Sequence, residues 1–355
     1  MDYLITGVTG LLGSHIFFEL LEKIIRYNSS SKLFLLIRPF NNMTPIERGI
    51  NIFAPENIPE FIKKYSINIL KERFQIIPCH LNCKELFHII SNIDTKKLTV
   101  IHCAASTNLM TDKATEQELL LNNNLGTINL INNIDSKKLY KFIYISTAFV
   151  NRIKNIYRNP YEETKSTMET YISSYCKKYN IHYQILRPSV ICGRLIDFPL
   201  YITLKFDVFY GWAYFFYRYK MDMPIRIHIN LNETLNIVPV DYVAKIICKS
   251  INEDFTELNI INPNPPLHKE YFSVILNMLN VKEFEFVDKF PNNLNKFEKL
   301  YYRTVGKTFA PYITVDNQKY NSNLSHEIFN SIQYPDVLEH FSGLIKYAID
   351  KEFKP

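Results

Sequence analysis

The sequence predicts an α/β protein: a doubly wound parallel sheet followed by a smaller, mostly helical C-terminal region. Three observations carry that reading. Short runs of near-continuous Ile, Leu and Val alternate with longer segments of helical period between residues 3 and 191. Three of the nine glycines fall within "GVTGLLG" (7–13), between the first such run and the first helical segment. After about residue 193 the alternation gives way to aromatic, helix-like sequence.

The β-like runs are "YLITG" (3–7), "KLFLLIR" (32–38), "FQIIP" (74–78), "LTVIHCAA" (98–105), "KFIYIST" (141–147) and "HYQILRPSVI" (182–191). Helical period spans Leu11 to Ile25, a region ending near residue 72, roughly 115–134, and a segment opening near Tyr161. Alternation in this order is the pattern of βαβ units. Residues 195–232 read as aromatic and helix-like. "TLNIVPVDYVAKIICKSI" (234–251) reads as a short strand, a turn and a helix, and "ELNIINP" (257–263) as a further strand returning to the main sheet. The tail is mostly helical, with a polar loop around "VDNQKYNSN" (315–323). The expected organisation is therefore a nucleotide domain of residues 1–193 plus about 234–263. Residues 194–233 plus 264–355 form a substrate-binding cap.

The chain has 355 residues, 47% hydrophobic and 21% charged, a globular balance with ample material for a core. Its net charge of +6 is spread without a basic block, which argues against nucleic acid as a partner. Six cysteines, Cys79, Cys83, Cys103, Cys176, Cys192 and Cys248, lack paired metal-ligand spacing. They read as reduced core residues of a cytoplasmic protein, and no metal is expected. A strand begins almost at the first residue, leaving no room for a signal peptide. The apolar stretch "VFYGWAYFFY" (208–217) is half the length that spans a bilayer. A soluble protein is expected, with membrane-surface contact a minor alternative kept open by Arg218, Lys220 and Arg226.

The glycine cluster sits where a strand ends and a helix opens, the context in which such a pattern cradles a diphosphate. Gly7 makes the tight turn, Gly10 lets backbone approach the ligand, and Gly13 lets the helix close on the strand. Free N–H groups at the helix start favour an anion. Thr6, Gly7, Thr9, Gly10, Leu11, Leu12 and Gly13 are thus the candidate diphosphate residues of a Rossmann-like domain. The second strand ends in Arg38, where sites that prefer NAD carry an acid for the ribose hydroxyls. A guanidinium suits a 2′-phosphate, so the expected cofactor is NADP(H), with Arg48 of "PIERGI" as a second clamp.

Tyr161 and Lys165 have the spacing Tyr-x-x-x-Lys, which places phenol and ammonium on one helix face. A neighbouring cation favours phenolate and lowers a tyrosine pKa, making proton exchange feasible near neutrality. The same spacing recurs at Tyr201/Lys205 and Tyr347/Lys351, but only Tyr161 lies between two β-runs of the nucleotide domain. The other two pairs read as surface or packing residues. Thr147, ending the strand before Tyr161, offers a hydroxyl to a substrate carbonyl, and Asn123 sits on the preceding helix.

Taken together, "TGVTGLLG", "VIHCAAS", "NNLGT", "YISTAFV", "YEETK", "LRPSVICG" and "LNIVPVDYVA" resemble the extended short-chain dehydrogenases/reductases over residues 3 to about 263. Within that superfamily "LLIRP", "ERGI", "STAFV" and "NIVPVDYV" look most like the thioester reductase and fatty acyl-CoA reductase branch. The resemblance implies Tyr161 as proton donor, Lys165 as the group that lowers its pKa and holds the nicotinamide ribose, and Thr147 as the polariser of the carbonyl. It implies Asn123 as support for a water relay to Lys165. Ala104, Ala105 and the backbone of Arg187, Pro188, Ser189 and Val190 would line the cofactor.

The implied reaction is NADPH-dependent reduction of an acyl thioester to an aldehyde or alcohol. The thioester would be borne by coenzyme A or by an acyl or peptidyl carrier protein from another chain. The same residues would serve a ketone or aldehyde reductase or a hydroxysteroid-type dehydrogenase. A sugar-nucleotide epimerase fits less well because Arg38 argues against NAD. A regulator that only senses NADP(H) fits less well because the Tyr/Lys pair is kept. One departure stands out. The family often has Gly-Asp-Leu after the third strand, the Asp meeting the adenine, and this chain reads Cys79-His80-Leu81. The aromatic stretch 206–219 reads either as the lining of an acyl channel or as core of the cap.

Overall fold

In a computed structural model, described here for residues 1–150, 157–316 and 332–354, eleven strands are present. They are β1 (Asp2–Thr6), β2 (Leu33–Ile37), β3 (Phe74–Pro78), β4 (Leu98–His102), β5 (Leu139–Ile145), β6 (His182–Pro188), β7 (Val190–Cys192), β8 (Ile225–His228), β9 (Ile237–Pro239), β10 (Glu257–Ile260) and β11 (Phe284–Val287). Seven of them form one sheet in the order β3-β2-β1-β4-β5-β6-β10, every pair parallel. The order reverses between β1 and β4, so the carboxyl ends of these two strands open onto a crevice.

Both sheet faces are covered, which is why the strands read as continuous apolar runs. Leu33, Leu35 and Ile37 of β2 join one buried cluster with Ile16, Phe17, Leu20 and Leu21 of the helix Leu11–Arg26 and Val243, Ile246 and Ile247 of the helix Val240–Ser250. Phe34 and Leu36, pointing the other way, join a second cluster with Leu130, Ile131, Met168 and Ile172 from the helices Gly126–Asn132 and Pro160–Lys178. A third cluster gathers the C-terminal helices Phe209–Arg218, His268–Met278, Lys296–Arg303, Val305–Ile313 and Val337–Asp350 around fully buried Trp212.

The structure departs from the sequence reading in three places. The run 182–191 is two strands: β6 ends at Pro188 in the main sheet, while β7 pairs with β9 in a small separate sheet. Ser189 is the pivot, its amide bonded to Ile260 and its hydroxyl to the carbonyl of Asn236. Residues 195–232 hold only one helix of ten residues, Phe209–Arg218, followed by β8, which pairs with β11. The segment before it is a loop because the buried Asp241 carboxylate takes the amides of Leu195, Ile196 and Asp197, and Pro199 has none to offer. The helical stretch near 115–134 is interrupted by a π-helical turn, Leu120–Leu125, that carries Asn123 inward. Most of the polar loop expected at 315–323 lies outside the described residues.

Candidate active site

A cleft of about 980 Å³ opens at the carboxyl ends of β1 and β4 and continues toward the C-terminal helices. Thr6, Gly7, Thr9, Gly10, Leu11, Leu12 and Gly13 line one end. Gly7 has φ +74°, and a Cβ there would lie 2.6 Å from the amide nitrogen of Ala104. A Cβ on Gly13 would overlap the carbonyl oxygen of Gly7. At Gly10 the nearest atom is that same oxygen at 3.3 Å, so the remaining space faces the cleft. The helix Leu11–Arg26 has no side-chain cap, leaving its first N–H groups to the cleft. This bare, anion-seeking cradle fits the diphosphate of a dinucleotide.

Arg38, Phe40 and Arg48 line the rim of the same end. Both guanidinium groups stand over the Phe40 ring, at 5.2 and 5.4 Å. Arg48 donates to the backbone carbonyl of Arg38 at 2.5 Å and to the Thr9 hydroxyl at 2.6 Å, tying the second strand's end to the glycine loop. Burial and the charge of Arg38 lower its pKa. His80 lines the cleft as well, its Nδ1 accepting from the amide of Asn82 at 3.1 Å.

Ala104, Ala105, Pro188, Ser189 and Val190 line the middle of the cleft together with Thr147, Tyr161 and Lys165. Arg187 does not reach it. Its side chain is held by Glu169 through two bonds of 2.7 Å and by Glu257 at 2.8 Å. Asn159 caps the helix Pro160–Lys178, accepting from the Glu162 amide at 3.1 Å, so that Tyr161 stands in the first turn and Lys165 one turn on.

The electrostatics differ from the sequence expectation at Tyr161. Its pKa is raised, first by burial and then by Glu162 and Cys103, while a hydrogen bond with Thr147 works in the lowering direction. The Lys165 side chain lines the same cleft. The ammonium is tethered to the carbonyl of Ile145 at 2.7 Å and stands 4.7 Å from the Tyr144 ring centre. Burial pulls Lys165 down to about 8, against the opposing influence of Cys103 and Glu169. The phenol is therefore held as an acid.

Asn123 is buried beside, not in, the cleft. Its Oδ1 accepts from the amide of Ser106 at 2.8 Å, and its Nδ2 donates to the carbonyl of Ser106 and the hydroxyl of Thr164. Of the other two Tyr-x-x-x-Lys pairs, Tyr201 meets His340 at 3.3 Å, and Lys351 lies 6.0 Å from the Tyr347 ring. Lys205, however, reaches the cleft, where it pairs with Asp207 and Thr107.

Several lining residues escaped the sequence reading. Glu162 accepts from the Arg158 amide at 3.0 Å and the Tyr312 hydroxyl at 2.7 Å, and Asn159 donates to that hydroxyl at 2.6 Å. This network ties the tail to the helix bearing Tyr161. Leu109, Met110, Phe149, Val208, Gly211 and Phe309 give the far wall an apolar surface. Nothing in the chain's local pattern signals Tyr312 or Phe309, which arrive from some 150 residues downstream of Tyr161. The aromatic stretch is mostly core: Phe209, Tyr210, Trp212, Phe215 and Phe216 are buried, and only Phe206, Asp207, Val208 and Gly211 face the cleft.

Solved structures with the same architecture include the reductase domain of the aureusimine biosynthetic cluster, at 16% identity and TM-score 0.65, covering 99% of this chain and 91% of that one. The UDP-glucose 4-epimerase of Thermotoga maritima, solved with UDP-glucose, aligns over 100% of both chains at 15% identity and TM-score 0.63. The UDP-glucuronic acid 4-epimerase of Bacillus cereus, solved with NAD, is 22% identical over 81% of this chain and 87% of its own, at TM-score 0.55. At these identities the likeness is one of fold. No curated protein sequence matches the chain. The NAD-binding family model described as "Male sterility protein" matches residues 5–158 and 152–247. The chain belongs to that family, and with it to the extended short-chain dehydrogenases/reductases, enzymes that work through a nicotinamide nucleotide.

Proposed function

We propose that this enzyme reduces an acyl thioester, borne by coenzyme A or an acyl or peptidyl carrier protein, to an aldehyde or an alcohol at the expense of NADPH. The observation that carries the reading is the continuity of one cleft, from the glycine cradle past Tyr161 and Thr147 to an apolar wall built by the C-terminal helices. In this reading residues 1–193 and 234–263 hold the nucleotide, and 194–233 with 264–355 close over the acyl group. Preference for NADPH is supported by Arg38 and Arg48 flanking Phe40 where an acid would serve NAD.

When bound, the reduced nicotinamide supplies the hydride for the carbonyl carbon. Thr147 and Tyr161 hold the carbonyl oxygen by hydrogen bonds, and Tyr161 protonates it as negative charge develops. The raised phenol pKa suits that donor role, because the proton is in place throughout the neutral range. Lys165 keeps a positive charge beside the site below about pH 8. With a thioester the protonated product is a hemithioacetal, which expels the thiol to leave an aldehyde. Among the described residues no helix is long and apolar enough to cross a membrane, in keeping with the cytoplasmic setting we assign.

The deciding experiment follows NADPH consumption with acyl-CoA, acyl-carrier protein and simple aldehydes, in wild type and Tyr161→Phe. Thioester turnover that disappears in the variant supports the proposal. Turnover of ketones or aldehydes alone moves the protein to a carbonyl reductase. Conversion of a UDP-sugar with NAD, the alternative favoured by the fold of the epimerases, overturns it.

A further inference from the structure

A line of buried and part-buried hydrogen bonds runs beneath the cleft. The Ala104 amide donates to Thr6 Oγ1 at 3.2 Å, and Thr6 Oγ1 lies 2.7 Å from His102 Nδ1. His102 Nε2 lies 2.8 Å from Thr127 Oγ1, which donates to the Asn123 carbonyl at 2.5 Å. Asn123 Nδ2 reaches Thr164 Oγ1 at 3.3 Å, and Thr164 donates to the carbonyl of Tyr161 at 2.9 Å. The line begins at the glycine loop and ends in the turn that carries the proposed acid.

The direction of every bond follows from counting hydrogens. A carbonyl only accepts, so the single hydroxyl proton of Thr127 is committed to Asn123. Thr127 must then receive from His102, which makes Nε2 the protonated nitrogen. Burial and the charge of Lys165 hold His102 at about 3, so the ring is neutral and has no second proton. Nδ1 is consequently an acceptor, Thr6 donates to it, and the remaining lone pair of Thr6 takes the Ala104 amide. Each hydrogen is used once.

We propose that His102 is a positioning residue for the reaction: as the neutral Nε2–H tautomer it fixes both the glycine-loop end of β1 and the π-helical turn of Asn123. It is absent from the cleft lining and acts through its neighbours. Its two nitrogens serve two different parts of the site. Nδ1 orients Thr6 and, through it, the Ala104 backbone against Gly7. Nε2 orients Thr127, Asn123 and the Tyr161 turn. The kinetic role rests on the reductase reading above; the tautomer does not.

The first test is nitrogen-detected NMR of the full-length protein with labelled histidine. The Nε2–H form, unprotonated at Nδ1 and unchanged from pH 7 to 5, is expected; the other tautomer or an imidazolium overturns the proposal even if the enzyme is an active reductase. The second test separates the two ends. His102→Asn keeps an acceptor near the Nδ1 position, and His102→Gln keeps a donor near the Nε2 position. His102→Asn should bind NADPH within about three-fold of wild type but lose about ten-fold or more in kcat, the cost of a misplaced reacting group. His102→Gln should show the reverse, with NADPH affinity weakened and kcat largely kept. Equal losses in both variants would mean a space-filling role and refute the split. Calorimetry of NADPH binding needs no substrate, so absence of turnover in wild type would count against the reductase reading and leave the histidine assignment standing on the NMR.

Discussion

The Lys165 ammonium donates to the backbone carbonyl of Ile145 across 2.7 Å, so the cation is anchored to the end of β5, and the Tyr161 phenol one turn earlier is governed first by burial and then by Glu162. This arrangement sets the pH profile. The ordinary limb for a reductase acid would be loss of the phenol proton, but here that loss is displaced upward, beyond the working range. Lys165 titrates first, at about 8. We expect kcat/KM, which reports the free enzyme's ionisations, to fall as pH rises through about 8. A flat profile to pH 9.5 would show that the lysine charge is not needed.

The same shift bears on stability. A cation with a depressed folded pKa binds fewer protons folded than unfolded between about 8 and the ordinary lysine value of 10.5. Stability therefore rises with pH across that window, and the burial penalty is in full force at pH 7. Lys165→Met removes the penalty, up to about 3 kcal/mol, less about 1 for the lost hydrogen bond to Ile145. Thermal unfolding at pH 7 should show an unchanged or higher Tm, while turnover falls at least about 100-fold. A lower Tm together with lost activity would make the lysine a structural element.

At the glycine loop, two positions separate folding from binding. Gly13→Ala collides with the Gly7 carbonyl and should destabilise the protein outright. Gly10→Ala meets only that oxygen at 3.3 Å, so the fold should survive with its new methyl standing where the diphosphate is expected. Calorimetry on Gly10→Ala should find a native melting curve and NADPH affinity weakened at least about ten-fold. Undiminished affinity would place the diphosphate elsewhere.

Arg48→Ala removes a guanidinium that bridges the Arg38 carbonyl and Thr9, and NADH has no 2′-phosphate for that charge to meet. Loss of a charge-assisted bond costs about 1.5–3 kcal/mol, so KM for NADPH should rise about 10- to 100-fold and that for NADH only slightly. Arg38→Ala should act in the same sense. Parallel losses for both nucleotides would assign the arginines to holding the loop rather than to choosing the cofactor.

What could be read from the sequence is what acts locally. The turn at Gly7 and the closeness at Gly13 are consequences of missing side chains, and both are legible in eight residues. Tyr161 was distinguishable from two identical spacings only by its place between strands. The phenol's proton affinity was not legible, because it depends on burial and on neighbours such as Cys103, which lies 58 residues before Tyr161. β8 was written in plain alternation, Ile225 and Ile227 inward, Arg226 and His228 outward, yet the neighbouring aromatics masked it. His102 stood inside a quoted motif, but its two partners lie 96 and 25 residues away. Long-range partners of this kind leave no local pattern.

The apolar wall offers the last test, and it addresses the substrate directly. Gly211 faces the cleft on the helix Phe209–Arg218, and a Cβ placed there would lie 3.3 Å from the ring of Phe309. An alanine side chain would be a tight contact; a leucine would have to project into the cleft or displace that ring. If an acyl chain runs along this wall, Gly211→Leu removes room for several methylenes. A pocket discriminates by about 1–3 kcal/mol per methylene, or roughly 10- to 200-fold in kcat/KM. The variant should therefore lose long-chain thioesters by at least that factor while keeping acetyl- or butyryl-thioester turnover and NADPH affinity. Equal loss across all chain lengths would mean that the substrate does not follow this wall, and that the channel for it must be sought on the side of Lys205 and Asp207.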